Sequence, residues 1–291
     1  MTKSDLVARS AGELDAALTD ARHDNLRVGF VPTLGALHEG HAADVRQARA
    51  QCDVVVVSIF LNPLQFDDAN DLARYGRDLA ADVRTATRAG ADVVFAPSVE
   101  EMYPVGEPEV VVDPGPKGEI LEGVFRPKHF QGVATVVTKL LVIVRPTVAY
   151  FGEKDYQQLV IVRQVVRDLS LRVEIIACPT MREADGLAIS SRNAFLDSDA
   201  RMVAASLFRA LTAAKETIGR GERDPNMVVE VMERVVGTSG RADLDYVHVV
   251  REGTLDDVSE IEGDVRLLIA ARVGAVRLID NLLVEKEASE R

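Results

Sequence analysis

Two histidines stand three residues apart, His38 and His41, beside Gly40 in the stretch VPTLGALHEGH (31–41). The stretch leaves an apolar run and enters a polar helical pattern. A helix start carries unpaired backbone N–H groups and the positive end of the helix dipole, so the turn after Gly40 is suited to an anion. Residues at i and i+3 share one side of the first turn. Both imidazoles can therefore face one phosphate, and imidazoles can hydrogen-bond phosphate oxygens as charge moves onto a leaving group. Gly35 and Gly40 have P-loop spacing, but His41 and Ala42 stand where that loop needs Lys and Ser/Thr, and the chain has no GxGxxG. A zinc pair is the rival reading. It needs a third ligand, for which Glu39 and Asp44 are the nearby groups. An incidental polar loop is the plain alternative.

Four further stretches carry chemistry-bearing residues. VSIFLNPLQF (57–66) runs off an apolar segment into Asn62 and Gln65, neutral amides suited to a hydroxylated, carboxylated small molecule. YFGEKDYQQL (150–159) offers Gly152 for close backbone approach, Lys154 for phosphate, Asp155 for ribose, and Gln158 in the first helical turn. READGLAISSRN (182–193) joins Ser190, Ser191 and Arg192, two hydroxyls and a guanidinium, in the composition of a phosphate clamp. FRPKHFQGV (125–133) adds Arg126, Lys128 and His129. Taken singly, each is matched by a bland reading: a turn, a charged helix start, a linker or a solvated basic cluster. Asp67, Asp68 and Asp71 read as a solvated loop rather than a metal site. Together the four loops imply a nucleotide and a small polar acid. No Ser-His-Asp or Cys-His arrangement calls for a covalent enzyme intermediate.

These loops must be held by a regular frame. Val- and Ile-rich runs recur at Arg27–Val31, Val54–Phe60, Asp92–Ala96, Val148–Gly152 and Arg172–Cys178, nearly continuous as in strands buried on both faces. Helical patterns lie between most of them, the clearest with Leu159, Val162, Val166 and Leu169 in one stripe. This predicts an α/β, doubly wound parallel-sheet (Rossmann-like) domain over residues 1–180. Ligands of such sheets lie beyond the carboxyl ends of the strands, where the loops fall. Ser10 and Glu13 form a capping-box pattern ahead of one helix carrying Leu14, Ala17, Leu18 and Ala21. After Asn193 the pattern changes. A long helix capped by Asp197 or Ser198, a second from Pro225 to Val236, and strands Asp245–Val250, Arg266–Arg272 and Ala275–Val284 predict a smaller α+β domain over 181–291, with a hairpin turn at Val273-Gly274.

Composition sets outer bounds. The 291 residues are 47% hydrophobic and 27% charged, which suits one large or two ordinary globular domains. A net charge of −12 argues against nucleic acid as a partner, and a polyanion such as ATP then needs basic residues gathered locally. Two cysteines, Cys52 and Cys178, without CxxC spacing give neither a disulfide framework nor a thiolate zinc site. The opening MTKSDLVARSAGELD is too polar for a signal peptide, and apolar runs such as Val54–Leu61 are too short to cross a bilayer. The expectation is a cytoplasmic protein without a membrane partner.

In order and spacing, VPTLGALHEGH, VSIFLNPLQF, FRPKHFQGV, YFGEKDYQQL and READGLAISSRN resemble the pantoate–β-alanine ligases (pantothenate synthetases), a family of the HxGH nucleotidylyltransferase superfamily. The resemblance implies a two-step reaction. Pantoate attacks Mg-ATP to give pantoyl adenylate and pyrophosphate; β-alanine then displaces AMP to give pantothenate, a coenzyme A precursor. It implies that His38, His41, Lys154 and Arg192 serve catalysis. It assigns ATP contacts to Leu34 (usually Met in the family), Gly40, Gly152, Asp155, Met181, Ser190 and Ser191. Gln65 and Gln158 hold pantoate, with Asn62, Arg126 and His129 lining its site, and Asp82 faces magnesium. It further implies a homodimer and a C-terminal domain acting as a lid with a hinge near Pro179. Ala42 and Asp44 replace usual leucines, Gly76 a usual proline, and Ala81 an acidic residue before Asp82. Two competing readings are a nucleotidylyltransferase acting on a phosphorylated acceptor, opposed by neutral Gln65 and Gln158, and a silent nucleotide-binding paralogue, opposed by the retained His38, His41, Lys154 and Arg192.

Overall fold

The computed structural model describes residues 7–67, 72–73, 75–76, 78–240 and 242–286. Asp68 and Asp71 of the acidic loop, and the first six residues, lie outside the described residues. Two compact units emerge: residues up to Gly152 with Gln157–Pro179, and Glu153–Tyr156 with Thr180 onward.

Among the described residues, the first unit holds a six-stranded sheet: β1 (Val7–Ala8), β2 (Val28–Thr33), β3 (Val54–Ile59), β4 (Val93–Phe95), β5 (Val148–Gly152) and β6 (Glu174–Cys178). The spatial order is β1-β4-β3-β2-β5-β6, and every neighbouring pair is parallel. The chain winds outward from β2 through β3 to β4, then returns to the other side of β2 with β5. The order thus reverses between β2 and β5, and the carboxyl ends of those two strands form the switch point where such sheets bind ligands. The expected doubly wound α/β class is borne out.

The helices of this unit and its return are α1 (Ala11–Ala17), α2 (Thr19–His23), α3 (Glu39–Gln51), α4 (Leu79–Ala89), α5 (Val99–Met102), α6 (Glu122–Phe125), α7 (His129–Val144) and α8 (Tyr156–Asp168). One face of the sheet packs Val31, Val55, Val57 and Val94 against Val45 and Ala48 of α3 and Ala86 of α4. Ala42 is buried in the same cluster, so the small residue after HxGH seats α3 closely. The single helix expected across Leu14–Ala21 is divided at Leu18. There the Thr19 hydroxyl bonds back to the Asp15 carbonyl (2.9 Å), a local alternative to the helical ladder. Half of the capping box holds: Ser10 Oγ accepts from Glu13 N, while the Glu13 carboxylate turns to Arg9 N.

The second unit packs α9 (Ser198–Gly219) and α10 (Pro225–Gly237) on an antiparallel sheet ordered β7 (Ala242–Arg251), β8 (Val265–Val273), β9 (Val276–Val284). Its core joins Leu207, Leu211 and Met232 to Leu267, Ile269 and Leu278. Asp197 caps α9 through Ala200 N. The hairpin turn falls one residue later than expected, because Val273 pairs with Val276. Gly274, at φ +59, takes the first central position that a type II′ turn reserves for glycine. No helix among the described residues is long and apolar enough to cross a membrane.

Candidate active site

The loop between β2 and α3 is pinned from several sides. Gly35 has φ +96 and Ala36 φ +50, a sharp left-handed turn after the strand. Thr33 Oγ1 donates to the Ser58 carbonyl (2.7 Å), and Tyr75 OH donates to the Gly35 carbonyl (3.4 Å). His38 then caps α3: its Nδ1 accepts from Gly40 N (3.2 Å), and Nδ1 of His41 accepts from His38 N (3.3 Å). The two rings stack with centroids 4.0 Å apart. A Cβ on residue 40 would lie 3.0 Å from the His38 ring, which explains the glycine between the histidines.

This geometry fixes the tautomer. Each Nδ1 accepts from a backbone N–H, so the ring proton of each neutral imidazole sits on Nε2. Both rings present an Nε2–H donor edge at a helix N-terminus, and that edge is suited to an oxyanion. Among the described residues no group of three or more His, Cys, Asp or Glu is arranged to hold a metal, so the zinc-pair reading has no third ligand.

Asp82, near the start of α4, is buried. Its Oδ2 accepts from Ala36 N (3.0 Å) and its Oδ1 from Leu37 N (2.7 Å). Both carboxylate oxygens therefore hold the loop that carries the histidines. Asp82 is thereby anchored to the backbone amides of that loop. Leu34, Gly35 and Asp82 also line a cleft of about 620 Å³ at the carboxyl ends of β2, β3 and β4, together with Ile59, Leu61 and Pro97.

A second cluster surrounds Gln65. Asn62, fully buried, donates from Nδ2 to Gln65 Oε1 (3.0 Å) and to the Gly132 carbonyl (3.1 Å), and its Oδ1 accepts from Leu64 N (3.3 Å) and Tyr103 OH (2.9 Å). With both donors and the acceptor engaged, Asn62 braces Gln65. The side-chain oxygen of Gln65 is thus occupied by Asn62. Arg126 Nη2 (3.3 Å) and His129 Nδ1 (3.0 Å) both reach the Gln65 carbonyl, and Arg126 lies beside His129 Nε2 (3.3 Å). The basic pair thus supports the backbone of Gln65. A Cβ on Gly132 would meet the Leu64 carbonyl at 2.4 Å, so α7 approaches this turn only with glycine there. Gln158 is half-buried on α8. Its neighbour Gln157, not singled out from the sequence, is structural: it accepts from Glu122 N and donates to the Lys117 and Ile120 carbonyls.

Gly152 ends β5 in the first unit. Lys154 and Asp155 belong to the second, their side chains 3.6 Å apart. So do Met181, Ser190, Ser191 and Arg192. Their loop is closed on itself: Ile189 N donates to the Met181 carbonyl (2.9 Å), Arg182 bridges to Ala188, and Ser190 Oγ accepts from Arg192 N (3.3 Å). Asn193 Nδ2 ties the loop by donating to the Ala188 carbonyl and the Glu183 carboxylate.

Comparison with known proteins identifies the lineage. The family model described as Pantoate-beta-alanine ligase matches residues 6–283. A pantothenate synthetase from a Nocardioides species is 49% identical, covering 97% of this chain and 86% of that protein. One from Chloroflexus aurantiacus is 52% identical, covering 89% and 92%. The crystal structure of pantothenate synthetase from Thermus thermophilus superposes with a TM-score of 0.90 at 45% identity, covering 97% of this chain and all of that one. The pantoate-beta-alanine ligase from Francisella tularensis, complexed with beta-gamma ATP and beta-alanine, superposes with a TM-score of 0.80 at 35% identity, covering 97% and 98%. The resemblance carried by the five sequence stretches is borne out, and the chain belongs to the pantoate–β-alanine ligase family.

Proposed function

We propose that the stacked histidines at the start of α3 are where this chain transfers an adenylyl group from ATP to pantoate. As a family member it is an ATP-dependent ligase that joins pantoate to β-alanine to make pantothenate. In the first step a pantoate carboxylate oxygen attacks the α-phosphorus of ATP. The bond to the bridging oxygen breaks and pyrophosphate leaves. In the second, the neutral amine of β-alanine attacks the acyl carbon of pantoyl adenylate; AMP leaves and the nitrogen gives up a proton. Phosphoryl chemistry of this kind asks for positioning and charge stabilisation rather than a protein nucleophile. The observation that carries the reading is the pair of Nδ1 atoms accepting from backbone N–H groups, which puts the ring proton of each neutral imidazole on Nε2 at a helix N-terminus.

In this reading His38 and His41 meet the phosphates, aided by Lys154 and by Ser190, Ser191 and Arg192. Leu34 and Gly40 offer backbone contacts, Gly152 and Asp155 take the ribose, and the backbone near Met181 takes the adenine. The Gln65 amide and Gln158 hold pantoate. Mg²⁺ arrives on the ATP phosphates as part of the substrate. A homodimer in the cytoplasm completes the proposal.

Pyrophosphate exchange into ATP tests the reading. Exchange that depends on pantoate and not on β-alanine, with pantothenate formed once the amine is added, is the expected result. ATP binding without exchange rejects it.

Asp82 gives a separate prediction. Asp82→Asn replaces one acceptor oxygen with an NH₂ group facing a backbone N–H and removes the charge from the remaining bond. Hydrogen bonds to charged groups contribute about 1.5–3 kcal/mol. Adenylation is expected to slow about tenfold or more, while the Mg²⁺ concentration for half-maximal rate stays at the wild-type value. A marked rise in the Mg²⁺ requirement would show instead that Asp82 faces the metal, as the family resemblance implies.

A further inference from the structure

We propose that Asp280 and Asn281, neighbours on β9, are positioning residues that hold the two nucleotide-binding segments, Glu153–Asp155 and Met181–Arg182, in one fixed relation. The proposal rests on the assignment of Lys154, Asp155 and Met181 to ATP made above. All of these residues belong to the second unit.

Asn281 is buried. Its Nδ2 donates to the Glu153 carbonyl (2.9 Å) and the Lys154 carbonyl (3.0 Å). Two consecutive carbonyls directed at one amide fix the single 3-10 turn Glu153–Asp155 that carries Lys154 and Asp155. The orientation of the amide is fixed in turn. Its Oδ1 accepts from Arg266 Nη1 (3.0 Å), and arginine is a donor only, so the NH₂ group must face the carbonyls. The same Arg266 lies over the Tyr156 ring, 4.3 Å from its centroid, and Tyr156 OH donates to Glu252 (3.0 Å) and accepts from Gly253 N (2.6 Å). The turn is thus held at its carbonyls by Asn281 and at its end by Tyr156.

Successive residues of a strand face opposite sides of the sheet, so Asp280 works on the other side. It is buried and takes the Arg182 guanidinium as a fork, at 2.6 and 2.9 Å. Arg182 also reaches the Gly186 and Asn281 carbonyls and lies over the Phe208 ring at 4.0 Å. Asn281 N donates to Asp280 Oδ1 (2.8 Å), which links the two clamps. Arg182 directly follows Met181, and the turn held by Asn281 contains Lys154. One dipeptide therefore sets both the phosphate-ribose arm and the adenine arm.

The test is separate equilibrium binding of ATP and of pantoate to full-length wild type, Asn281→Asp, Asn281→Ala and Lys154→Ala, with a thermal melt of each. In Asn281→Asp one oxygen keeps the Arg266 contact while the other faces two carbonyls, so the turn is repelled. The Kd for ATP is expected to rise about tenfold or more, with the Kd for pantoate within twofold of wild type and a cooperative melt. Asn281→Ala removes the donor without adding charge. It covers the case in which the aspartate variant does not fold, and it is expected to show a smaller rise with the same selectivity. Equal losses of ATP and pantoate affinity would reduce Asn281 to a general structural residue and overturn the inference. So would unchanged ATP affinity in both Asn281 variants while Lys154→Ala weakens ATP. Unchanged ATP affinity in all three variants removes the assignment of Lys154 to ATP, and the inference falls with it.

Discussion

Replacing His41 by alanine is expected to slow pantoate-dependent pyrophosphate release about 100- to 1000-fold. Loss of one preorganised donor to a developing oxyanion typically costs ~2.7–4 kcal/mol of barrier. The loss should fall mainly on kcat, because the Nε2–H bond strengthens as charge moves onto the departing pyrophosphate. His41 has a second task, since its Nδ1 accepts from His38 N at the start of α3. Loss of such a cap costs about 1 kcal/mol of stability, too little to unfold the chain. The substitution His41→Asn separates the two tasks. The asparagine oxygen can take the place of Nδ1 as cap acceptor, but the side chain ends short of the Nε2 position. This variant should recover the melting temperature lost in His41→Ala and remain slow. Turnover within tenfold of wild type in either variant would remove His41 from the chemistry.

The frame of the molecule was legible because burial writes itself into composition. The Val-rich run at Val54–Ile59 is nearly continuous because β3 lies between β2 and β4 with helices on both faces, and no alternation is needed. The ends of strands were less legible. Pro32 reads as a stop, yet β2 runs to Thr33. At that level β2 pairs with β3, Pro32 opposite Ser58, while the pairing to β5 is at Gly29 and Phe30, so the missing N–H of proline breaks no bond to β5. Strand β1, of two residues, is too short to carry a period.

In the candidate site, residue types that face a ligand announce themselves, and residues that hold them do not. His38, His41 and Gly40 are a local pattern with a local cause, the cap of α3. Asp82 acts on Ala36 and Leu37, more than forty positions away in sequence, and Asn281 on Glu153 and Lys154, more than a hundred away. Neither contact has a trace in spacing or periodicity. Asn62 reads from the sequence as a ligand contact beside Gln65; its burial and its bond from the hydroxyl of Tyr103 are likewise long-range features with no trace in the local pattern.

Arg266→Met is expected to destabilise the second unit strongly. Arg266 is 3% exposed. It bonds the Glu252 carboxylate twice, Nε and Nη2 each at 2.9 Å, lies 3.5 Å from Glu153, and donates to Asn281 Oδ1 (3.0 Å). Methionine fills much of the volume but leaves Glu252 and Glu153 without their cation and Asn281 Oδ1 without its donor. Breaking a buried pair by removing one partner costs about 3–5 kcal/mol, most of it from the uncompensated charge. For a unit of this size that corresponds to a fall in melting temperature of roughly 10 °C or more. Arg266→Lys keeps the charge but not the planar fork, and should lie between wild type and Arg266→Met. The decisive comparison is the double variant Arg266→Met with Glu252→Gln. If the cost comes from a stranded carboxylate, neutralising Glu252 restores part of the stability lost in Arg266→Met, so that the two changes together cost less than their sum. Strict additivity in denaturant titrations would show that Arg266 acts through packing on Tyr156 instead of through its charge.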